Sequence, residues 1–198
     1  MSEDKPIFET KKLAKEIEGD RIVLKMLEPT FKNAETMFKM VDENREHLGK
    51  WLGWVEKTKG PEDSFNALKN FDDKCKKNIN ATYRIFIGDE CIGGIDCFGE
   101  NMPNGIGELG YMLAEKHCGK GYMTEAIEIF EVELFRNGMQ RIQIRFDPEN
   151  IGSAKVAQNT GYSFEGINRC DQYIKKTNEY RDTGVASKLK SDWLEEAE

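Results

Sequence analysis

The segment Glu115-Lys116-His117-Cys118-Gly119-Lys120-Gly121-Tyr122-Met123-Thr124-Glu125-Ala126 constrains this chain more than any other. A strand-like run ends before it, and behind it Met123, Ala126, Ile127, Phe130 and Leu134 recur at helical spacing until Asn137-Gly138 supplies a stop. Two glycines spaced by one residue let main-chain amides turn toward a common point. The helix start behind them adds N–H groups without intrahelical partners and a partial positive charge. Such a junction holds a pyrophosphate, with Lys116 and Lys120 adding mobile cationic charge. The alternative is a glycine-rich helix start that binds nothing. A Walker loop needs Lys and then Ser or Thr after its last Gly, whereas Lys120 precedes Gly121 and Tyr122 follows it. A dinucleotide fingerprint needs a third Gly at the first strand-to-helix turn, and this loop lies in mid-chain without one. NTPase and dehydrogenase readings are both disfavoured.

The charge balance sharpens the point. A net charge of −7 opposes a nucleic-acid backbone, so no nucleic-acid partner is expected and a cationic one is favoured. A length of 198 residues suits one domain. No run approaches the ~20 apolar residues of a membrane span, and the opening residues lack a secretory pattern, so a cytoplasmic protein without a membrane partner is expected. The five cysteines have no C-x-x-C spacing and only two His accompany them, which argues for reduced thiols and no metal.

Along the chain, residues 1–19 read as an arm, 20–190 as the domain and 191–198 as a tail. Ile22, Leu24 and Met26 alternate as in a strand; Pro29-Thr30 then opens a helix carrying Phe31, Ala34, Phe38 and Val41. The segment 47–54 breaks that period, and Gly60-Pro61 starts a second helix with Phe65, Leu68, Phe71 and Cys75 on one side. Thr82–Ile87, Cys91–Phe98 and Ile106–Leu113 read as an antiparallel meander leading to the glycine loop and its long helix. Arg141–Phe146 is a strand, Ser153–Asn159 a short helix, and Ser163–Ile174 with Thr183–Leu189 a closing pair. The order is β-α-α-β-β-β-α-β-α-β-β, a single α/β (α+β) domain with a mixed, mostly antiparallel sheet and helices on both faces.

At Lys116-x-x-Gly119-x-Gly121 the chain resembles the GCN5-related N-acetyltransferases (GNAT), whose signature is Q/R-x-x-G-x-G/A; Lys replaces the first residue and keeps its charge. The runs Glu108–Leu113, Gly119–Ala126 and Asn150 to Phe164 before Glu165-Gly166 are similar to the RimJ/RimL ribosomal-protein acetyltransferase subgroup. The resemblance implies the GNAT fold, acetyl-CoA as co-substrate, and direct transfer of acetyl to a primary amine. It implies a donor site formed by Met112 and Leu113, by Lys116, His117, Cys118, Gly119, Lys120, Gly121, Tyr122 and Met123, and by Asn150 and Ser153. Ser153 matches a position facing the departing thiolate and is a candidate general acid; Ser153 and Asn150 also suit helix capping and turn formation.

The general base is less plain. In RimL-type enzymes a Glu on the penultimate strand serves, and its position falls here on Gln172, which takes no proton. Asp171 is adjacent, but neighbouring strand residues face opposite sides, so a bulge or one-residue shift is needed to bring it in. Glu108 is the other candidate. Trp51, Trp54 and Tyr111, with Gln172, are expected on the acceptor side, core packing being the alternative for the aromatics. A weak base suits a protein N-terminal α-amine; a polyamine or other small cationic amine is the second acceptor class, and an acyl-CoA-binding module without turnover the third reading. A homodimer is compatible with all three.

Overall fold

The computed structural model of the chain describes residues 6–175 and 177–196. Eight strands, β1 (Glu16–Glu18), β2 (Val23–Lys25), β3 (Asn80–Ile87), β4 (Glu90–Phe98), β5 (Ile106–Leu113), β6 (Arg141–Phe146), β7 (Ser163–Ile174) and β8 (Glu179–Leu189), form one sheet in the order β1-β2-β3-β4-β5-β6-β8-β7. Every neighbouring pair is antiparallel except β5 and β6. That pair is parallel because the chain between them must cross over, and it does so as a helix. The helices are α1 (Phe31–Asp42), α2 (Arg45–Gly49), α3 (Pro61–Lys76), α4 (Tyr122–Arg136), α5 (Ile151–Asn159) and α6 (Lys190–Glu196).

Strand alternation sorts the two faces. Tyr83, Ile85, Ile95, Cys97, Leu109, Ile142 and Ile144 are buried on one face, packed in a single cluster with Met123, Ala126, Ile127, Phe130 and Leu134 of α4. The opposite face is covered near β3 and β4 by α1 and α3, with a second cluster of Met40, Val41, Leu48, Val55, Phe86 and Cys91 against which Met112 packs. Local signals set the helix starts as the sequence suggests. Thr30 caps α1 by accepting from the Asn33 N–H, and Pro61 opens α3.

The ends of the chain differ from the expected arm and tail. Phe8 is fully buried, the Thr10 hydroxyl donates to the Cys75 carbonyl at 2.5 Å, and Glu16–Glu18 adds a strand beyond β2. At the other end α6 stacks Trp193 on Phe135 with ring centroids 5.7 Å apart. Neither segment shows a period in sequence: Phe8, Leu13 and Ile17 at one end and Trp193 at the other are spaced irregularly among charges. Helix α2, five residues long, is likewise too short to show a period.

Candidate active site

The site begins where β5 and β6 part. Their parallel register runs from Ile106↔Arg141 to Leu109↔Ile144 and stops, although β5 continues to Leu113 and β6 to Phe146. A crevice at the carboxyl ends of parallel strands is where ligands bind in α/β sheets. The Ala114 N–H donates to the Ile92 carbonyl at 2.8 Å, so the two-residue alternation directs the main-chain groups of Ala114 and Met112 to β4 and those of Tyr111 and Leu113 into the gap. Of the expected donor-side pair, Leu113 therefore offers its amide to the gap, while Met112 turns its amide to β4 and its side chain into the second core cluster.

Above the gap stands the glycine loop. Gly119 and Gly121 have φ of +73° and +80°, the left-handed region that side chains avoid, and space is open where a Cβ at Gly119 would sit. Gly121 caps α4 with no side-chain bond, and the first intrahelical bond runs from the Glu125 N–H, leaving the N–H groups of Tyr122, Met123 and Thr124 directed out of the helix end. The Met123 side chain is core, so only its main chain belongs to the site. Lys116 departs from the expected role: its ammonium lies 2.5 Å from Glu90 Oε1 on the β3–β4 turn, and His117 Nε2 lies 3.4 Å from the same oxygen. The bond from Lys116 holds the Glu90 carboxyl below its ordinary range. Lys120 has no carboxylate partner among the described residues and supplies the uncommitted cation.

Sequence reasoning missed Arg21. Its guanidinium donates to the Lys120 carbonyl at 2.9 Å and to Glu125 Oε2 at 2.7 Å, and stacks 4.8 Å over the Tyr122 ring, fixing the loop from below. No sequence signal could have paired residues a hundred positions apart. The loop is also tied to the far side of the sheet: the Glu115 N–H donates to Asn44 Oδ1 at 2.9 Å, and Cys118 Sγ lies 3.6 Å from His47 Nε2. Burial pushes the Cys118 thiol above its ordinary range.

Tyr111 sits with Ser153, not with the tryptophans. Its hydroxyl reaches across the gap to Ser153 Oγ at 2.8 Å and the Ser153 carbonyl at 3.3 Å, on the α4–α5 face of the sheet. Asn150 Oδ1 accepts the Ser153 N–H at 3.1 Å, so the capping role of Asn150 is realised while the Ser153 hydroxyl stays available to the gap. Trp51 and Trp54 belong to the segment packed through Leu52 and Val55 on the other face, beside Met112. They are 38% and 41% exposed, which excludes plain core packing. Arg45 staples this segment by donating to the carbonyls of Val55 and Thr58 at 3.0 and 2.6 Å.

On that second face, where helices no longer cover the sheet, lie the carboxylates. Glu108, opposite Gln143 and one residue before the strands part, accepts from Gln143 Nε2 at 3.1 Å and lies 3.9 Å from Arg145 Nη1. Arg145 also pairs with Asp171. The register of β7 against β8 jumps from Asn168↔Thr183 to Gln172↔Arg181, so three residues oppose one, and Cys170 takes φ of +52° with its N–H on Asp182 Oδ1. This bulge re-aims Asp171 toward the cleft. Gln172 stays in register across from Arg181, on the edge strand and exposed. Arg181 in turn pairs with Asp147 at 2.9 Å, a structural bond. The cleft, about 360 Å³, is lined by Arg141, Gln143, Arg145, Glu165, Asn168 and Asp171 among others. Arg141 is itself held bidentately by Glu165 at 2.7 and 2.6 Å.

The arrangement is one of two half-sites joined through a gap in the sheet: an anion cradle and a hydroxyl pair on one side, carboxylates and a polar cleft on the other. Known proteins resemble the chain in sequence and in fold. The chain is 22% identical over 158 residues to the ribosomal-protein-serine acetyltransferase of Escherichia coli (strain K12), covering 79% of this chain and 87% of that protein. Its fold superposes on RimL, a ribosomal alpha-N-protein acetyltransferase solved in complex with coenzyme A, with a TM-score of 0.81 at 19% identity over 88% of this chain and 97% of that one. It likewise matches the microcin self-immunity acetyltransferase MccE, solved with acetyl-CoA and AMP, with a TM-score of 0.79 at 22% identity over 86% and 93% of the two chains. Residues 21–163 match the acetyltransferase (GNAT) domain model, so the chain belongs to the GNAT family and is an acetyl-CoA-dependent N-acetyltransferase.

Proposed function

We propose that this enzyme acetylates the N-terminal α-amine of a cytoplasmic protein. The observation that carries the reading is the acceptor face, where Glu108 and the bulged Asp171 share Arg145 and the position of the RimL-type Glu holds Gln172. Near pH 7 an α-amine with pKa ~7.7–8.0 is ~10–20% neutral, against ~0.04% for a lysine amine at ~10.4. A carboxylate engaged by arginine suffices for the first. The Escherichia coli relative is named for a ribosomal-protein acceptor and RimL for an alpha-N-protein one, which supports the reading, and the cleft next to Gln143 gives room for the chain behind the amine.

Acetyl-CoA supplies an activated acyl carbon in a thioester. The protein's residues do the rest: the amides of Gly119–Thr124 and the Lys120 ammonium hold the diphosphate, and the Tyr111 and Leu113 amides the arm in the gap. On the acceptor side Glu108 receives the amine proton; on the donor side Ser153 Oγ gives a hydrogen bond where negative charge develops. The open space at Gly119 and the unpaired helix end fit an anion.

Thiol release from acetyl-CoA, followed with three acceptors, tests the assignment. A lysine-free peptide with a free N-terminus is expected to turn over fastest, ahead of an N-blocked lysine peptide and of spermidine. Faster release with spermidine establishes the small-amine reading, and binding without release with any amine the non-catalytic one. The loop is tested separately: Gly121→Ala forces a side chain into the left-handed region and brings its Cβ within 3.3 Å of Arg21 Nη2. The strain is about 1–2 kcal/mol. Calorimetry should show roughly tenfold weaker CoA binding.

A further inference from the structure

Two hydroxyls 2.8 Å apart at the mouth of the gap leave open which one donates. Tyr111 lies on β5 two residues past the last strand pair, and its side chain bridges the parted strands to α5. It has a second acceptor in the Ser153 carbonyl at 3.3 Å. Two proton arrangements follow. In one, Ser153 donates to Tyr111 and Tyr111 to the carbonyl, which points both hydrogens inward. In the other, Tyr111 donates to Ser153 Oγ, and the serine's own hydrogen is released toward the gap. Burial pushes the Tyr111 hydroxyl up to about 12, the bond from Ser153 drawing it partly back, so across any assay range it carries its proton.

We propose that Tyr111 is a positioning residue for Ser153: by donating to Ser153 Oγ as charge builds on the departing sulfur, it turns the serine hydrogen into the gap. The inference rests on the acetyl-transfer reading and adds a group to it. The proton on Ser153 Oγ is shared with the sulfur while the Tyr111 proton is shared with Ser153, and neither bond to oxygen need break. Because Tyr111 reaches the sulfur only through Ser153, the two residues should act as a unit.

The test compares CoA with desulfo-CoA, which lacks the thiol, by calorimetry across pH 6–9. A donor aimed at sulfur favours the thiolate, so the bound thiol becomes more acidic than the thiol of free CoA. CoA affinity relative to desulfo-CoA should then rise with pH by about tenfold and level off above the free thiol value, a size set by one hydrogen bond to a charged group. Tyr111→Phe keeps the ring and its packing; it should flatten this rise, leave desulfo-CoA affinity unchanged and lower kcat about tenfold with KM for acetyl-CoA unaltered. Ser153→Ala should flatten it too, and the double variant should be no worse than Ser153→Ala. A wild-type ratio independent of pH overturns the proposal, as does a Tyr111→Phe protein that keeps the rise and the kcat. A wild-type protein that binds neither compound overturns the acetyl-transfer reading itself.

Discussion

Glu108→Gln should lower kcat/KM for a peptide N-terminus about 10²- to 10³-fold while CoA affinity stays at the wild-type level. The carboxylate sits one residue before β5 and β6 separate, on the face opposite Tyr111 and Ser153, with Gln143 Nε2 holding one oxygen at 3.1 Å. An amide of the same shape keeps the packing while removing the negative charge beside Arg145 and the lone pair that accepts the amine proton. General-base removal has an effect of roughly this size. Asp171→Asn is the control: it frees Arg145 without touching β5, and a loss under about tenfold is expected. Should Asp171→Asn fall further than Glu108→Gln, the bulge and not β5 supplies the base. Steady-state rates at pH 7 and pH 9 add a second reading, because an acceptor neutral at the higher pH needs less help and the Glu108→Gln defect should shrink there.

Glu131→Ala should destabilise the fold by about 3–5 kcal/mol, read from urea unfolding. Lys188 of β8 and Glu131 of α4 are 2% and 3% exposed and meet at 2.8 Å, with the Tyr162 ring 5.7 Å from the ammonium. Removing the carboxylate takes away the counter-charge that meets the buried ammonium at 2.8 Å, where desolvation of a charge is costly. For a chain of this size the melting temperature should drop by roughly 10 °C. Replacing both residues by Met should recover most of the loss, since the pair also carries a desolvation cost that Met lacks. A Glu131→Ala protein as stable as wild type would show that the pair contributes nothing to the packing of α4 on β8.

These two residues mark how differently sequence and structure contribute. Glu108 lies in a run whose family resemblance is plain, yet neither that resemblance nor strand alternation could place Asp171, because a bulge at residues 169–171 undoes the parity on which such arguments rest. Lys188 and Glu131 gave no signal at all: each is a charge in a charged chain, and only burial makes the pair consequential. Sequence groups Tyr111 with the tryptophans on the acceptor side; strand parity sends it to the opposite face, across the gap to Ser153. Lys116 kept the charge of the family signature but met Glu90, a residue of a hairpin tip that folding brings alongside it.

The local code by itself determined the elements and the anion loop. Apolar periodicity in α4 and in β3 to β6, Pro61 and Thr30 at helix starts, and two glycines that alone tolerate φ near +75° are properties of neighbouring residues, legible without a fold. Tertiary structure decided what depends on residues far apart in the chain: the parting of β5 from β6, the Arg21 clamp, the hydroxyl pair, and the carboxylates that face the gap from behind. Those contacts exist only after the sheet has closed, because short-range preference fixes where a strand or helix begins but not which distant side chain will stand across from it.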